Sequence, residues 1–311
     1  MKEYSLVIIG AGAAGLLAGI AALEEKIEDV LIIEQEEDLG GNLNLFINND
    51  FGEFHLGENV PGPAFASILI TTYVSLNGQF KNNTRVIEVS DDRKIKYVNP
   101  YEGEVEIKAK KIILASGCRE KYTGNIIVPI HKYTGIFSTA SAHRLVNFQG
   151  LLPGKEVILS GNTVWSYILA RRLVIEGAKV KGIITSRESV SEDLAKIIDG
   201  FDIPVICNSK VIEVGGGERI EWARIENCTK KEESKIIECD SLILAIGYYP
   251  EIDYLKNSTI KINNECLQIE NYKTSVEGIY CCGTIVHGRN GLFNSGEEGY
   301  KVGKIVSAQL K

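Results

Sequence analysis

Apolar runs that end in glycine recur along this chain, and stretches with helical composition follow them. The first run, Y-S-L-V-I-I, ends at Gly10, and an Ala- and Leu-rich stretch from Ala13 to Glu25 leads to a second run, V-L-I-I. An uninterrupted apolar run bounded by glycine is typical of a strand that is buried on both faces, and a helix between two such strands is typical of a βαβ unit. The pattern therefore predicts a βαβ unit at the start of the chain.

Alternating apolar and polar positions follow the first unit and predict an antiparallel meander. Before it, residues 40–63 lack periodicity and are rich in turn formers, which predicts an irregular loop, and residues 64–78 have helical spacing. The meander strands and the buried strand that comes next are expected at Thr84–Val89, Lys94–Asn99, Glu104–Lys108 and Lys111–Gly117.

The same order of patterns restarts at Lys155. The spacing from Gly10 to Glu34 is 24 residues, and the spacing from Gly161 to Thr185 is the same. We therefore predict an α/β protein with two nested Rossmann-like dinucleotide-binding domains of three-layer ββα type, with residues 1–117 plus 248–311 forming one domain and residues 118–247 forming a second domain inserted in it. In the second domain we expect a helix at Val164–Glu176. We expect strands at Lys155–Gly161, Ala178–Thr185, Val205–Val214, Ile220–Cys228 and Asp240–Gly247.

Composition narrows the class of partner. A net charge of −7 and a pI of about 5.4 argue against nucleic acid and against an anionic membrane surface. No apolar run reaches the roughly 18 residues that a membrane span requires. The first strand begins within a few residues of Met1, and the seven cysteines are scattered without a C-x-x-C. We therefore expect a cytoplasmic protein without a signal peptide or membrane span.

The first glycine turn carries the chemistry of a dinucleotide site. Gly10, Gly12 and Gly15 form G-x-G-x-x-G between a strand and a helix, and Glu34 ends the next strand. In this arrangement Gly10 permits the tight turn, Gly12 allows a diphosphate to approach the backbone, and Gly15 allows close helix–strand packing. The helix N-terminus offers unpaired N–H groups to the phosphates, and Glu34 can accept hydrogen bonds from a ribose. The alternative is a glycine-rich turn in some other α/β protein.

The chain resembles the thioredoxin-reductase-like flavoproteins that have two dinucleotide-binding domains. The resemblance is carried by the nested folds, the A-S-G and A-I-G strand ends and the terminal glycine segment. G-G-N-L-N-L-F-I-N-N-D-F-G, A-S-G-C-R-E-K and A-R-R-L-V-I-E-G-A also resemble the FAD-dependent oxidoreductases that accompany glycerol-3-phosphate-dehydrogenase-like proteins. Those proteins are related to subunits of sarcosine oxidase, opine oxidase and dye-linked proline dehydrogenase.

The resemblance implies that FAD is bound by the first domain. The residues it places around FAD fall into five groups. They are Gly10, Gly12, Ala13 and Gly15 at the pyrophosphate, Glu34 at the adenosine ribose, Gly40, Gly41 and Asn42 near the flavin, Val86 at the adenine, and Ser116, Gly117, Gly283 and Thr284 along the cofactor. Thr284 stands where many relatives have an aspartate that binds the ribityl chain, so the flavin is expected to be held more weakly or differently. Glu297–Gly299 belongs to the helix whose N-terminus would face the flavin.

The second glycine turn departs from the family pattern. It reads G-N-T-V-W-S, so Gly161 is kept while Thr163 and Ser166 replace the other two glycines and the bulky Trp165 stands between them. Thr185 occupies the position of the ribose-binding acid and is followed by Ser186 and Arg187. Two interpretations remain open. Arg187 could bind a 2′-phosphate, which would favour NADPH, or the site is vestigial, which makes NAD(P)H a doubtful cofactor.

Redox and proton-transfer candidates outside the cofactor site are few. Cys118, beside Arg119, could be a stabilised thiolate or a packed thiol, and His287 could lie near the flavin or serve only structure. Cys281 and Cys282 could form a vicinal disulfide or pack on two faces of a strand. The histidines lack metal-ligand spacing, so no metal site is expected.

The sequence therefore predicts an FAD-dependent oxidoreductase that passes electrons between a small organic or nicotinamide donor and an acceptor or partner subunit, without a C-x-x-C disulfide. The alternative is a non-catalytic or electron-relay FAD-binding subunit of a heteromeric dehydrogenase or oxidase. We expect a homo- or hetero-oligomer.

Overall fold

The structure, a computed structural model, describes residues 1–121, 129, 131–230, 232–263, 266–287 and 294–311. It divides the chain into two compact units. The first unit joins Met1–Arg119 to Tyr248–Lys311, and the second unit is the segment Glu120–Gly247 between them. The backbone N–H of Lys121 donates to the carbonyl oxygen of Gly247 at 2.7 Å. The two ends of the second unit therefore lie side by side, as an inserted unit requires.

The helices and strands are numbered in chain order. Residues 1–120 contain β1 (Glu3–Ile9), α1 (Ala13–Glu24), β2 (Val30–Ile33), α2 (Glu53–Leu56), α3 (Gly62–Ser75), β3 (Gln79–Lys81), β4 (Arg85–Val89), β5 (Lys94–Asn99), β6 (Gly103–Leu114) and β7 (Cys118–Glu120). The second unit contains β8 (Ile136–Ser138), α4 (Thr139–Gln149), β9 (Glu156–Ser160), α5 (Val164–Ile175), β10 (Lys179–Ile184), α6 (Glu192–Ile197), β11 (Val205–Ile206), β12 (Ser209–Gly216), β13 (Ile220–Asn227), β14 (Ser234–Glu238) and β15 (Ser241–Leu244). The last segment contains β16 (Tyr248–Pro250), β17 (Ile262–Asn263), β18 (Cys266–Leu267), β19 (Ile279–Cys281), α7 (Thr284–His287) and α8 (Ser295–Ser307).

The first unit is built on a parallel sheet in the order β3-β2-β1-β6-β19, and β5 and β4 extend it antiparallel from the other half of β6. The four residues of β2 are all buried, which is why this run is apolar at every position. Helix α1 covers one face, where Gly15 and Gly19 lie against Ile8 and Ile32. The other face packs against the meander through a cluster that includes Val7, Ile95 and Tyr97.

The second unit repeats this plan. Its parallel sheet has the order β11-β10-β9-β15-β8, and the separate antiparallel sheet β12-β13-β14 covers one face. Helices α4, α5 and α6 pack on the other face around Val157, Leu159 and Leu169. The strand order matches β3-β2-β1-β6-β19 position by position. The predicted fold class, an α/β protein with two Rossmann-like three-layer domains, is confirmed.

Three local predictions were wrong in instructive ways. Glu104–Lys108 and Lys111–Gly117 were expected to be separate strands, yet they belong to the continuous strand β6, which ends at Leu114. The pattern changes within β6 because the strand changes partners, pairing antiparallel with β5 up to Lys108 and parallel with β1 from there on.

Conversely, the run Val205–Val214 was expected to be one strand and is two. Asn208 adopts a positive φ of 48° between β11 and β12, and the two strands join different sheets. Residues 40–63 contain a 3₁₀ turn, Gly41–Leu45, and the short helix α2 within the expected loop. The elements β8, α4, α6 and β14 were not predicted at all.

No helix among the described residues combines the length and the apolar character that crossing a bilayer demands.

Candidate functional site

The turn between β1 and α1 is held by glycines that the protein's own backbone requires. Gly10 has a φ of 103°, and a Cβ there would lie 2.4 Å from the carbonyl oxygen of Ala115. A Cβ on Gly15 would lie 1.9 Å from the carbonyl oxygen of Gly10. Both distances are far below van der Waals contact, so neither glycine can be replaced without moving the strand or the helix. The turn therefore brings the N-terminus of α1 close to the carboxyl ends of β1 and β6.

Gly12 differs from its neighbours because the protein itself leaves room beside it. A Cβ on Gly12 would meet no atom within 4 Å. Gly12 is the N-cap of α1, yet no side chain caps this helix, and its first turn contains no acidic residue. The first N–H groups of an α-helix have no partner within the helix, and the helix dipole adds positive potential there. Open space beside uncapped amides is what a diphosphate needs.

Glu34 lies at the carboxyl end of β2 with only 6% of its surface exposed. Its Oε2 accepts a hydrogen bond from the Ala11 N–H at 2.7 Å, and its Oε1 accepts one from the Glu36 N–H at 3.0 Å. Burial raises the pKa of this carboxyl, and the backbone N–H donors oppose that shift. Glu34 therefore fixes the glycine turn directly, and its remaining lone pairs can accept from a ribose hydroxyl.

The loop after β2 folds back onto the glycine turn. The Gly40 N–H donates to Ala11 O at 2.9 Å. A Cβ on Gly41 would lie 3.1 Å from the Gly12 Cα. Gly40 and Gly41 have φ values of 110° and 53°, so the loop uses backbone conformations that favour glycine. Asn42, next in the 3₁₀ turn, is half-buried.

The tail of the chain completes the same edge of the sheet. Gly283, which follows β19, has a φ of 79°, and a Cβ there would lie 2.9 Å from the Ala14 Cβ. Thr284 is 8% exposed, and its Oγ1 lies 3.2 Å from the place where a Cβ on Gly117 would stand. Residues that are up to 274 positions apart in sequence (10 to 284) thus meet at the carboxyl edge of the first sheet. Open α/β sheets bind ligands at this edge.

Two of the expected cofactor residues have additional structural roles. The Ser116 hydroxyl donates to the Glu251 carbonyl oxygen at 2.9 Å and lies 2.7 Å from the Tyr254 hydroxyl. Its hydrogen bonds are thus made within the first unit. Val86 lies in β4 and is 8% exposed. Thr84, two residues before it, donates its backbone N–H to the Glu34 carbonyl oxygen at 2.9 Å, which places the start of β4 beside the ribose-binding candidate.

Two further polar side chains, one of them on the helix expected to face the flavin, also bear on the site. Glu298 accepts a hydrogen bond from the Gly283 N–H at 3.0 Å, so α8 holds the turn that carries Thr284. Asn48 is buried, its Nδ2 donates to Asp50, and its Oδ1 has no hydrogen-bond partner among the described residues. This unpartnered buried oxygen, in the loop that follows Gly41, could accept a hydrogen bond from a donor group of a bound ligand. The asparagines of this loop were the sequence feature that could have pointed to Asn48.

These residues fit the diphosphate and ribose of a dinucleotide. The uncapped amides of α1, the open space beside Gly12 and the buried Glu34 supply an anion site and a hydroxyl acceptor at one edge of the sheet. The assignment of individual residues to parts of FAD stays a prediction.

The corresponding turn of the second unit is built differently. Thr163 is the N-cap of α5 and accepts a hydrogen bond from the Ser166 N–H through its side chain, while the Ser166 hydroxyl accepts one from the Thr163 N–H. Thr185 is buried and accepts from the Arg187 N–H at 3.2 Å. Arg187 itself is exposed. Trp165, expected to crowd the loop, is 3% exposed.

The cysteine candidates lie in different surroundings. Arg119 pairs with Glu251 and, at 3.1 Å, with Asp253, so two carboxylates compensate the charge that was expected to stabilise a Cys118 thiolate. Cys118 is half-buried. Its redox role stays a prediction.

Cys281 and Cys282 are fully buried free thiols. The Cys281 N–H donates to Tyr272 O and the Cys282 N–H to Leu114 O, so the two residues face opposite neighbours. Burial raises the pKa of Cys281 to about 12 and that of Cys282 well above its usual value. Both are therefore protonated at neutral pH, which favours packing over thiolate chemistry.

His287 ends α7, and its side chain lies outside the part of the structure that is described. Within the described ranges, no group of three or more His, Cys, Asp or Glu side chains is arranged to hold a metal ion.

Comparison with known proteins gives a consistent result. The family model described as Pyridine nucleotide-disulphide oxidoreductase matches residues 4–299. NADH-rubredoxin oxidoreductase of Clostridium acetobutylicum is 26% identical over 315 residues, which cover 94% of this chain and 72% of that protein. The structure of T. acidophilum thioredoxin reductase superposes with a TM-score of 0.82 at 21% identity over 99% of both chains. That of P. horikoshii L-proline dehydrogenase superposes with a TM-score of 0.71 at 21% identity, covering 99% of this chain and 55% of the other. These matches confirm the predicted resemblance to thioredoxin-reductase-like flavoproteins.

Proposed function

We propose that this chain, which belongs to the pyridine nucleotide-disulphide oxidoreductase family and is an FAD-dependent oxidoreductase, passes electrons from a small organic or nicotinamide donor to an acceptor or partner subunit without a C-x-x-C disulfide. The family binds FAD and uses NAD(P)H. The observation that carries the proposal is the open, uncapped N-terminus of α1 at Gly12.

The first unit's residues supply binding and orientation. The amides at the start of α1 would hold the diphosphate, and Glu34 would accept from the adenosine ribose. Gly41 and Asn42, next to Gly12, would border the flavin, and Thr284 would offer a neutral hydroxyl where many relatives have an acid. When bound, FAD supplies the two-electron redox chemistry, while the protein sets its position and electrostatic surroundings.

A disulfide route through a C-x-x-C has no basis in this sequence. Where thioredoxin reductases carry that motif, this chain reads F-S-T-A-S-A from Phe137 to Ala142. Ser138 in this stretch caps α4, its hydroxyl accepting from the Ser141 N–H at 3.2 Å. The stretch therefore serves as a helix start. The acceptor must take electrons from the flavin by another path, and the clostridial relative, an NADH-rubredoxin oxidoreductase, supports a redox protein in that role.

The second candidate function is an FAD-binding or electron-relay subunit of a heteromeric dehydrogenase or oxidase. It is favoured by the altered second glycine turn, G-N-T-V-W-S, in which only Gly161 remains. A subunit of this kind would receive electrons from a partner chain rather than from a donor of its own.

A flavin spectrum of the purified protein, followed by anaerobic titration with NADH, NADPH and small amine or imino-acid donors, tests the proposal. A yellow protein whose flavin absorption bleaches with one of these donors is the expected result. A yellow protein that none of them reduces would favour the subunit function. A colourless protein that takes up no FAD on reconstitution would contradict both.

A further inference from the structure

The two glycine turns occupy equivalent places in the two units but leave their helix N-termini in opposite states. Gly12 caps α1 without a side chain and has open space beside it. Thr163, at the equivalent position of α5, brings a side chain that turns back onto the helix. The two turns are equivalent because β1 and β9 hold the same place in their sheets.

Thr163 and Ser166 close the N-terminus of α5 with a reciprocal pair of hydrogen bonds. The Thr163 Oγ1 accepts from the Ser166 N–H at 3.2 Å, and the Ser166 Oγ accepts from the Thr163 N–H at 3.1 Å. The Ser166 hydroxyl also lies 2.7 Å from the Thr163 carbonyl oxygen. Such a capping box satisfies N–H groups that a helix start otherwise leaves unpaired. Those same groups would have to receive the phosphate oxygens of a dinucleotide.

Steric demands act in the same direction. In the first unit, a Cβ at Gly15 would lie 1.9 Å from the carbonyl oxygen of Gly10. Ser166 stands at the equivalent position with its whole side chain buried. The second turn therefore cannot have the close strand–helix packing of the first, and the Thr163 side chain stands at the position where the first turn leaves open space beside Gly12. A ligand would have to displace Thr163 and break both capping bonds before it could bind.

The ribose end of the second turn has changed independently. Glu34 in the first unit is a buried carboxylate that accepts from Ala11 in the glycine turn. Its counterpart Thr185 is a buried, uncharged hydroxyl that accepts from the Arg187 N–H, and a hydroxyl has fewer acceptor sites than a carboxylate. No carboxylate stands at that position to receive a ribose hydroxyl. Only the exposed guanidinium of Arg187 would favour a nucleotide, and one of the 2′-phosphate type.

We infer that Thr163 and Ser166 are specificity-determining residues that exclude NADH and NADPH from the second unit, so that electrons reach the flavin from an organic donor or a partner subunit. This inference rests on the proposed function and selects between the donors it allows. The capping pair stabilises the start of α5 by using the N–H groups that would otherwise bind an anion. The chain thus keeps one dinucleotide site of the two that its fold provides.

Equilibrium dialysis of the FAD-loaded protein against labelled NADPH and NADH measures the effect without relying on activity. The wild type is expected to retain neither nucleotide. The double variant T163G/S166G restores the glycine spacing and is expected to bind NADPH at least about tenfold more tightly than the wild type, which corresponds to about 1.4 kcal/mol. Adding R187A to it should remove the preference for NADPH over NADH.

The matched control is S138A, which removes a side-chain cap from α4 in the same unit and should leave nucleotide binding unchanged. A second opened variant, T163A/S166A, removes the capping hydroxyls but keeps each Cβ, and provides the test if the glycine variant does not fold. Tight binding of NADPH or NADH by the wild type would overturn the inference. So would a folded opened variant that binds no better than the wild type. A protein that takes up no flavin would contradict the proposed function instead, and the dialysis uses FAD-loaded protein so that the first site is already filled.

Discussion

At the residue scale, the glycines of the first turn separate into two that the protein's own packing requires and one that it does not. Gly10 and Gly15 would collide with backbone atoms of the protein if they carried a Cβ. Gly12 would collide with nothing, and its φ of −73° is open to any residue. The fold by itself therefore gives no reason for glycine at position 12. A diphosphate held by the amides of α1, as proposed above, would give that reason.

We expect Gly12→Val to fold normally and to lose FAD. Displacing the diphosphate removes charge-assisted hydrogen bonds worth about 1.5–3 kcal/mol each, so the loss of two weakens binding by at least about a hundredfold. The measurement is the flavin content of the purified variant together with its thermal unfolding curve. Gly217→Val is the matched control. Gly217 also has an ordinary φ, and a Cβ there would have no neighbouring atom closer than 3.6 Å. Retention of FAD by folded Gly12→Val would place the cofactor elsewhere.

At the element scale, α8 is packed against α1 so closely that only glycine fits between them. A Cβ on Gly299 would lie 2.0 Å from the Ala14 carbonyl oxygen, and one on Gly303 would lie 2.4 Å from that of Ala18. This contact fixes α8 in the position from which Glu298 holds Gly283. The tail of the chain is thus placed at the site by helix–helix packing.

Gly299→Ala should push α8 away from α1 and destabilise the first unit. Overpacking of this kind costs about 1–3 kcal/mol, which exceeds the roughly 1 kcal/mol that alanine gains over glycine within a helix. Gly296→Ala in the same helix is the control, because its nearest contact is the flexible end of Leu17 at 2.8 Å. Chemical denaturation of the two variants measures the difference. Equal stabilities would show that α8 does not depend on this close approach.

The same two helices are joined at their other ends by an exposed ion cluster. Glu25 lies 2.8 Å from Lys304 and 2.6 Å from Lys311, and hydrogen bonds from these lysines lower its pKa from 4.5 to about 2. A lowered carboxyl pKa stabilises the folded state above pH 4.5, and that stabilisation is lost as the pH falls towards 2.

We therefore expect Glu25→Gln to lower Tm at neutral pH and to match the wild type in acid. High salt should shrink the difference because exposed charges are screened. Thermal unfolding between pH 7 and about 2 measures it. Glu28→Gln, which removes an exposed carboxylate without a described ion pair, should show no such convergence. A difference that is independent of pH would assign the effect to packing.

At the scale of the whole molecule, one plan is used twice, and the second copy is inserted in the first. The strand orders β3-β2-β1-β6-β19 and β11-β10-β9-β15-β8 correspond. The last strand of the first sheet comes from the end of the chain, whereas that of the second sheet, β8, comes from the start of its own unit. The first unit is therefore assembled from chain segments on both sides of the second unit in the sequence.

Removing residues 122–246 and joining Lys121 to Gly247 by two glycines should leave a first unit that still binds FAD. The hydrogen bond between Lys121 and Gly247 shows that the joined ends are adjacent. Flavin absorption and gel filtration of the shortened protein measure the outcome. The same deletion carrying Gly12→Val serves as the control and should lack flavin. A compact shortened protein without FAD would mean that the second unit contributes to the cofactor site.

Structure was predicted best from the sequence where a local backbone or packing requirement demands one residue type. The order of the βαβ units along the chain followed from apolar runs and glycines, and the bounds of β5 were predicted to the residue. The continuity of β6 was missed, because its change of partner is a property of the sheet. Strand β8 was missed because three residues are too few to show a period, and helix α4, which follows it directly, was not predicted either. Glu298 was placed on the right helix, but its bond to Gly283 depends on how α8 packs.

The sequence by itself determined the architecture, the family and the cofactor class, because buried strands, tight turns and phosphate-binding helix starts each demand particular residues at fixed spacing. Only the tertiary structure decided which glycines the fold itself imposes and which it leaves free, because that distinction depends on atoms far apart in the chain. It also decided the state of the second turn. The letters Thr163 and Ser166 indicate lost glycines, but only their mutual hydrogen bonds, at 3.1 and 3.2 Å, show a helix start already occupied by its own side chains.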